Sequence, residues 1–206
     1  MDSRDGQKYK TVKIGDQVWM AENLNMGDMK IVEGKRLIGH NNEIIEKYCY
    51  DNNPDNCKTY GGLYIWDEMM QYEPSDKKAR GTTQGICPSG WHIPTDEEWK
   101  TLETYIGGDG DKLKDRGSSP WSISPDRVID SSGFDALAGG RVGHRVNPLS
   151  PKFEFLEEYA PFWTSTDSPY NRRLNAWNRF LHKSSSKISR SILSKDVAIS
   201  VRCVKN

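Results

Sequence analysis

Apolar positions in this chain come in short, interrupted groups, and the most regular of them lies near the middle. Trp99, Leu102, Tyr105 and Ile106 recur at intervals of three and four, which is the spacing of one helical face. Thr95 precedes them, and Glu98 follows it by three, so Thr-x-x-Glu forms a capping box at the start. Asp96 and Glu97 add negative charge where the helix dipole favours it, and Gly107-Gly108 supplies a stop. The pattern predicts a helix over 95–106, docked by Trp91 and Trp99, with Cys87 just upstream as a covalent anchor.

Elsewhere the period is two. Val12 and Ile14 alternate with polar residues, Gly15-Asp16 makes a turn, and Val18 to Met20 return, which predicts a hairpin. Further strands are predicted at 162–166, 176–181, 188–193 and 198–204. The last alternates so that Ile199, Val201 and Cys203 point to one buried face. Leu63, Trp66, Met69 and Met70 read as the core face of a short helix. Residues 73–86 read as a surface connection, and 109–130 as irregular chain with turns at Asp109-Gly-Asp111 and Gly117-Ser-Ser-Pro120. Residues 28–47 have no clean period and read as an insertion, with a short strand at Ile31-Val32 or Leu37-Ile38. No linker divides the chain, so residues 1–206 are expected to form one α+β domain.

Seven Trp and nine Tyr in a chain with 28% charged residues fit a loop-rich body whose core is built from rings. No apolar stretch approaches the roughly 18 residues needed to cross a bilayer, so no membrane insertion is expected. Formal net charge is zero, but from Asp167 onward nine Lys/Arg face two Asp/Glu. The overall balance argues against a dedicated nucleic-acid binder. The four cysteines show no Cys-x-x-Cys spacing, which disfavours structural zinc. Of the three pairings open to them, Cys49–Cys57 would close a local loop, and Cys87–Cys203 would tie the helix start to the last strand. The alternative is four reduced, buried thiols.

Tyr48 to Cys57 reads as a tight polar loop. Its Asp51, Asn53 and Asp55 alternate as oxygen ligands do in the first half of a calcium loop. Against calcium, no glycine follows, no bidentate Glu is present, and Asx side chains satisfy such loops unaided. His40, His92, His144 and His182 are scattered outside any nucleophile motif, and no phosphate-binding loop follows a strand.

Several segments together resemble a known family, the Fibrobacter succinogenes major paralogous domain. They are Tyr9 to Asn25 (YKTVKIGDQVWMAENLN), Tyr60 to Trp66 (YGGLYIW), Cys87 to Trp99 (CPSGWHIPTDEEW), Gly133 to Gly140 (GFDALAGG), Phe162 to Thr166 (FWTST), Ala176-Trp177, and Ser200 to Lys205 (SVRCVK). More remotely, Ile93 to Trp99 and Ser200 to Cys203 look like segments of the formylglycine-generating enzymes. The resemblance implies a C-type-lectin-like fold with two main helices, a small twisted antiparallel sheet, long loops and neighbouring terminal strands. It also implies a helix-to-last-strand disulfide, in agreement with Cys87–Cys203. Proteins of this kind are exported or lipid-anchored. The expected location is therefore extracellular or at the outer-membrane surface, through a signal segment outside this chain.

The oxidases of the remote group are similar to one another in a late pair of copper-binding cysteines, whereas here only Cys203 lies late. Calcium lectins of this fold resemble each other in Trp-Asn-Asp, whereas here Trp177-Asn178 is followed by Arg179. The expected function is accordingly non-enzymatic and cofactor-free: recognition of a glycan or cell-surface protein by the 167–182 surface. Asp167, Tyr170, Asn171, Arg172, Arg173, Asn175, Trp177, Asn178, Arg179 and His182 there offer rings, amides and guanidinium forks. A structural or adhesion scaffold without a small ligand is the alternative, and a divergent formylglycine-generating-type enzyme the remote one.

Overall fold

The computed structural model describes residues 1–115, 117, 121, 132–143 and 150–206. The N-terminal hairpin forms as its alternation predicts, with β1 (Thr11–Ile14) and β2 (Gln17–Met20) joined at Gly15-Asp16. After β2 the chain runs extended to β3 (Asp28–Lys30), which pairs in parallel with β4 (Glu46–Tyr48). The insertion is thus framed by its own two-stranded ladder, and neither Ile31-Val32 nor Leu37-Ile38 is a strand. Gly27 permits this: its φ is +92°, and an added Cβ would lie 2.2 Å from the Ile45 carbonyl oxygen.

The expected polar loop at 48–57 is instead largely helical. A 3₁₀ turn (Tyr50–Asn52) leads into α1 (Pro54–Tyr60), with Asn53 as N-cap and Pro54 at the first helical position. The proline suits a helix start, where no N–H partner is needed. α2 (Trp66–Met69) is a single turn that ends where Gln71 and Tyr72 take positive φ. β5 (Trp91–His92) precedes α3 (Asp96–Tyr105), whose capping box is complete in both directions. α3 buries Trp99 and Leu102, and Ile106 follows them into the core, but Tyr105 is exposed. At about 100° per residue Tyr105 lies roughly a quarter-turn from the centre of the other three. Only α3 among the described helices is longer than seven residues, so the second main helix is missing from the described residues.

A 3₁₀ turn at Gly110–Leu113 and the small antiparallel pair β6 (Arg141–Gly143) and β7 (Lys152–Glu154) follow. Residues 118–120 of the turn expected at 117–120, and His144, lie outside the described residues. β8 (Tyr159–Asp167), β9 (Asn175–His182) and β10 (Ser185–Ser194) form an antiparallel sheet in the order β10-β9-β8. β11 (Val204–Lys205) closes a second sheet in the order β1-β2-β11-β5, which places the first hairpin beside the last strand.

The predicted strand at 198–204 is mostly a buried extended thread rather than one ladder. Its carbonyls are divided among neighbours: Tyr64 donates to Ile199, Trp163 to Ser200, Leu24 to Val201 and Met20 to Cys203. Both sides are covered, because Arg202 points away from Ile199, Val201 and Cys203 and is itself buried. It donates to the carbonyls of Met20, Phe134 and Asp135 and to Asn23 Oδ1, and its guanidinium lies 4.3 Å from the Phe134 ring centre. Phe134 joins Trp19, Trp99 and Phe162 in a ring cluster with centroids 4.8–5.8 Å apart. The cysteines pair as Cys49–Cys57 and Cys87–Cys203, the latter joining the approach to α3 to the last strand.

Candidate ligand-binding face

Strand register determines which side chains share the outer sheet. Arg179 on β9 stands opposite Phe162 on β8 and Arg190 on β10, while Trp177 stands opposite Ile192. Residues two apart on a strand share a face, so Trp177, Arg179 and Arg190 lie together. Two guanidiniums directly across a ladder would repel. Asp96, at the first turn of α3, stands between them. Its Oδ1 accepts from Arg179 Nη1 at 2.5 Å, and its carboxylate takes Arg190 Nε at 3.0 and 3.1 Å and Nη2 at 2.8 Å. The Arg190 guanidinium also lies over Trp177, 3.3 Å from its ring centre.

Asp76 organises the rim opposite. It accepts from the backbone N–H of Lys78, Thr82 and Thr83, and Thr166 Oγ1 donates to its carbonyl. Burial favours the neutral acid, but those N–H groups outweigh it and hold the carboxyl below the usual range. The loop carrying Lys77 and Lys78 is thereby fixed against β8. Between it, α3 and the β8–β9 turn lies a cleft of about 300 Å³, lined by Lys77, Glu97, Asp167, Arg172, Trp177 and Arg190 among others.

The β8–β9 turn, 168–174, is held by its own backbone. The Asn171 carbonyl accepts from the N–H of Leu174 and of Asn175, the Ser168 hydroxyl accepts from Tyr170 N–H, and Asn175 Nδ2 donates to the Tyr170 carbonyl. Tyr170, Arg172 and Arg173 are exposed on it. Arg172 lines the first cleft. Arg173 and Leu174 line a second, about 310 Å³, between the turn and the insertion at Arg36 and Ile38. Lys195 and Asp67 sit in that second cleft. Burial lowers the lysine pKa and raises that of the aspartate, and Lys195 Nζ lies 3.5 Å from the Trp66 ring centre.

The expected surface is therefore divided. Asp167, Tyr170, Asn171, Arg172, Arg173, Asn175 and Trp177 gather around the turn and its clefts. Asn178 is buried, with Nδ2 donating to the Ser191 carbonyl and Oγ, and Arg179 is buried on Asp96. His182 ends β9, about 20 Å from the turn at the usual strand rise, and contacts Ser184. Asp96 and Arg190 are the residues that the sequence reading did not place here. Asp96 was read only as charge at a helix start. The alternation of β10 opposite Arg179 was the signal that could have found Arg190.

Asn53 Oδ1 accepts from Asp55 N–H, Asp55 pairs with Lys58 at 2.7 Å, and Asp51 is exposed. Among the described residues no group of three or more His, Cys, Asp or Glu side chains could hold a metal ion. His92 is fully buried, its ring bonded to Glu98 Oε1 at 2.8 Å and Asn206 Oδ1 at 2.6 Å. No helix among the described residues is long and apolar enough to cross a membrane.

Together these features define a mixed helix-and-sheet protein, with few helices, small sheets and two disulfides, that presents a charged cleft beside a tight turn. The chain belongs to the Fibrobacter succinogenes major domain family, whose profile it matches over residues 12–205. No curated protein and no solved structure matches it.

Proposed function

We propose that this is a non-catalytic recognition domain that binds a glycan or a cell-surface protein through the turn 168–174 and the face carrying Trp177. The observation that carries this reading is the combination of an open cleft with a ring and donors held in fixed positions, Trp177 beneath Arg190 and Arg190 on Asp96. A rigid ring contributes contact area at small entropic cost, and guanidinium and amide groups contribute direction.

A C-type-lectin-like fold is part of the proposal. The terminal strands paired as neighbours and the disulfide from the α3 approach to the last strand support it. Two disulfides support an oxidising compartment, and with it display outside the cell or on the outer membrane by secretion or a lipid anchor. With all four cysteines paired, no thiol pair remains for copper-thiolate chemistry, which speaks against the divergent formylglycine-generating-type enzyme.

The test combines a glycan array with a pull-down from surface extracts, using the unmodified chain and Trp177→Ala. A ligand found by either route and lost in the variant is expected. A folded chain that draws nothing from both, or a ligand indifferent to Trp177→Ala and Arg172→Ala, would refute it.

A further inference from the structure

The charges around the first cleft do not balance. Asp96 serves two guanidiniums, and Glu103 Oε2, 3.8 Å from Arg179 Nε, is the second anion that balances them, so the excess lies in the rest of the lining. Glu97 leans toward Lys100 at 3.5 Å, which leaves Asp167 as the remaining acid of the lining. Against it stand Lys77, Lys78 and Arg172, none of which has an ion-pair partner among the described residues.

Arg190 is the best-placed donor among them. Its Nε–Nη2 edge is taken by Asp96 and one face by Trp177, so the guanidinium is held in a single pose. Its side chain is nonetheless 43% exposed, and Nη1 has no hydrogen-bond partner among the described residues. The outer Nη1–Nη2 edge is thus a fork fixed in advance, the geometry that takes a carboxylate through two parallel hydrogen bonds. A fork already immobilised loses little entropy on binding.

We infer that this face takes an acidic polysaccharide, with a uronic-acid carboxylate seated on the outer edge of Arg190 and Lys77, Lys78 and Arg172 completing the attraction. The inference rests on the recognition reading above and narrows its ligand. A glycan is favoured over an acidic protein because the lining is charged and hydroxylic around one indole.

The test measures binding to immobilised polygalacturonate and alginate, each beside its carboxyl-reduced, neutral counterpart, with poly-glutamate as the acidic polypeptide. Binding to at least one acidic polysaccharide is expected, weakened about tenfold or more by carboxyl reduction. Arg190→Gln should weaken it similarly. Because that variant also disturbs Asp96, the exposed pair Lys77→Gln/Lys78→Gln serves as the second probe, expected to bind less and to show a shallower salt dependence at unchanged thermal midpoint. Equal binding to the reduced polymers, indifference to both variants, or binding to poly-glutamate alone would overturn the inference. So would no binding to any of these polymers. A neutral glycan or a protein captured through Trp177 would then leave the recognition reading standing, whereas an empty array and an empty pull-down would remove both.

Discussion

Asp96→Asn removes the charge that reconciles two arginines while keeping the side-chain shape. The side chains of Arg179 and Asp96 are 2% and 8% exposed, so this half of the trio is a buried ion pair. Removing one partner of such a pair costs about 3–5 kcal/mol, because the other charge stays buried and uncompensated. The Arg190 half is 43% exposed and adds about 1 kcal/mol or less. Asparagine still offers one carbonyl acceptor, and Glu103 stays 3.8 Å from Arg179 Nε, so the expected loss lies near the lower bound, about 3 kcal/mol. In a domain of this size that corresponds to a fall of about 6–12 °C in thermal midpoint. Urea denaturation under oxidising conditions should show a lower midpoint at unchanged slope. Asp96→Leu combined with Arg179→Met should recover much of the loss, since a buried pair replaced whole by apolar groups is often neutral. A single-variant loss below about 1 kcal/mol would show that the trio is not the clamp described.

Breaking Cys87–Cys203, which spans 116 residues, should cost about 5 kcal/mol in the chain-entropy account, and breaking Cys49–Cys57, which spans 8, about 2.5 kcal/mol. Paired Cys→Ser variants compared by denaturation check the order, and equal losses would contradict it. Burial disfavours the charged form of His92, but Glu98 and Asn206 outweigh it and raise the pKa. A raised histidine contributes fully below its unfolded value of about 6.5 and loses that contribution as pH rises through the folded value. His92→Gln should therefore flatten the stability profile above about pH 6.5, and an unchanged profile would refute the pairing. Thr95→Ala should cost about 1 kcal/mol through the lost cap, again by urea midpoint, and a neutral result would contradict the capping role of its hydroxyl toward Glu98 N–H.

Local signals were legible where they acted locally. The capping box of α3, the first hairpin and the strands β8 to β10 stand where the pattern puts them, because each is specified within about ten neighbouring residues. Contacts made across the chain were harder to read. The thread 198–204 looked like a strand from its alternation, yet its backbone partners come from four separate segments. Tyr48 to Cys57 looked like a polar loop, yet Pro54 starts a helix there, since Asn53 ahead of it supplies the cap. Asn178 and Arg179 looked available because they are polar and follow a turn. Their burial is set by Ser191 and Asp96, which lie 13 and 83 residues away. Arg190 escaped notice for the same reason, as its role exists only once β10 lies beside β9 and α3 is docked below.

The location of the binding face is the claim on which the functional account stands. Hydrogen-exchange mass spectrometry with and without the ligand recovered from the array or pull-down addresses it directly. Protection is expected in peptides covering 76–82, 166–177 and 188–192, the segments that wall the first cleft. Protection confined to 7–10 and 57–61, which line a separate groove of about 340 Å³ on the N-terminal hairpin side, would place recognition elsewhere and contradict the account.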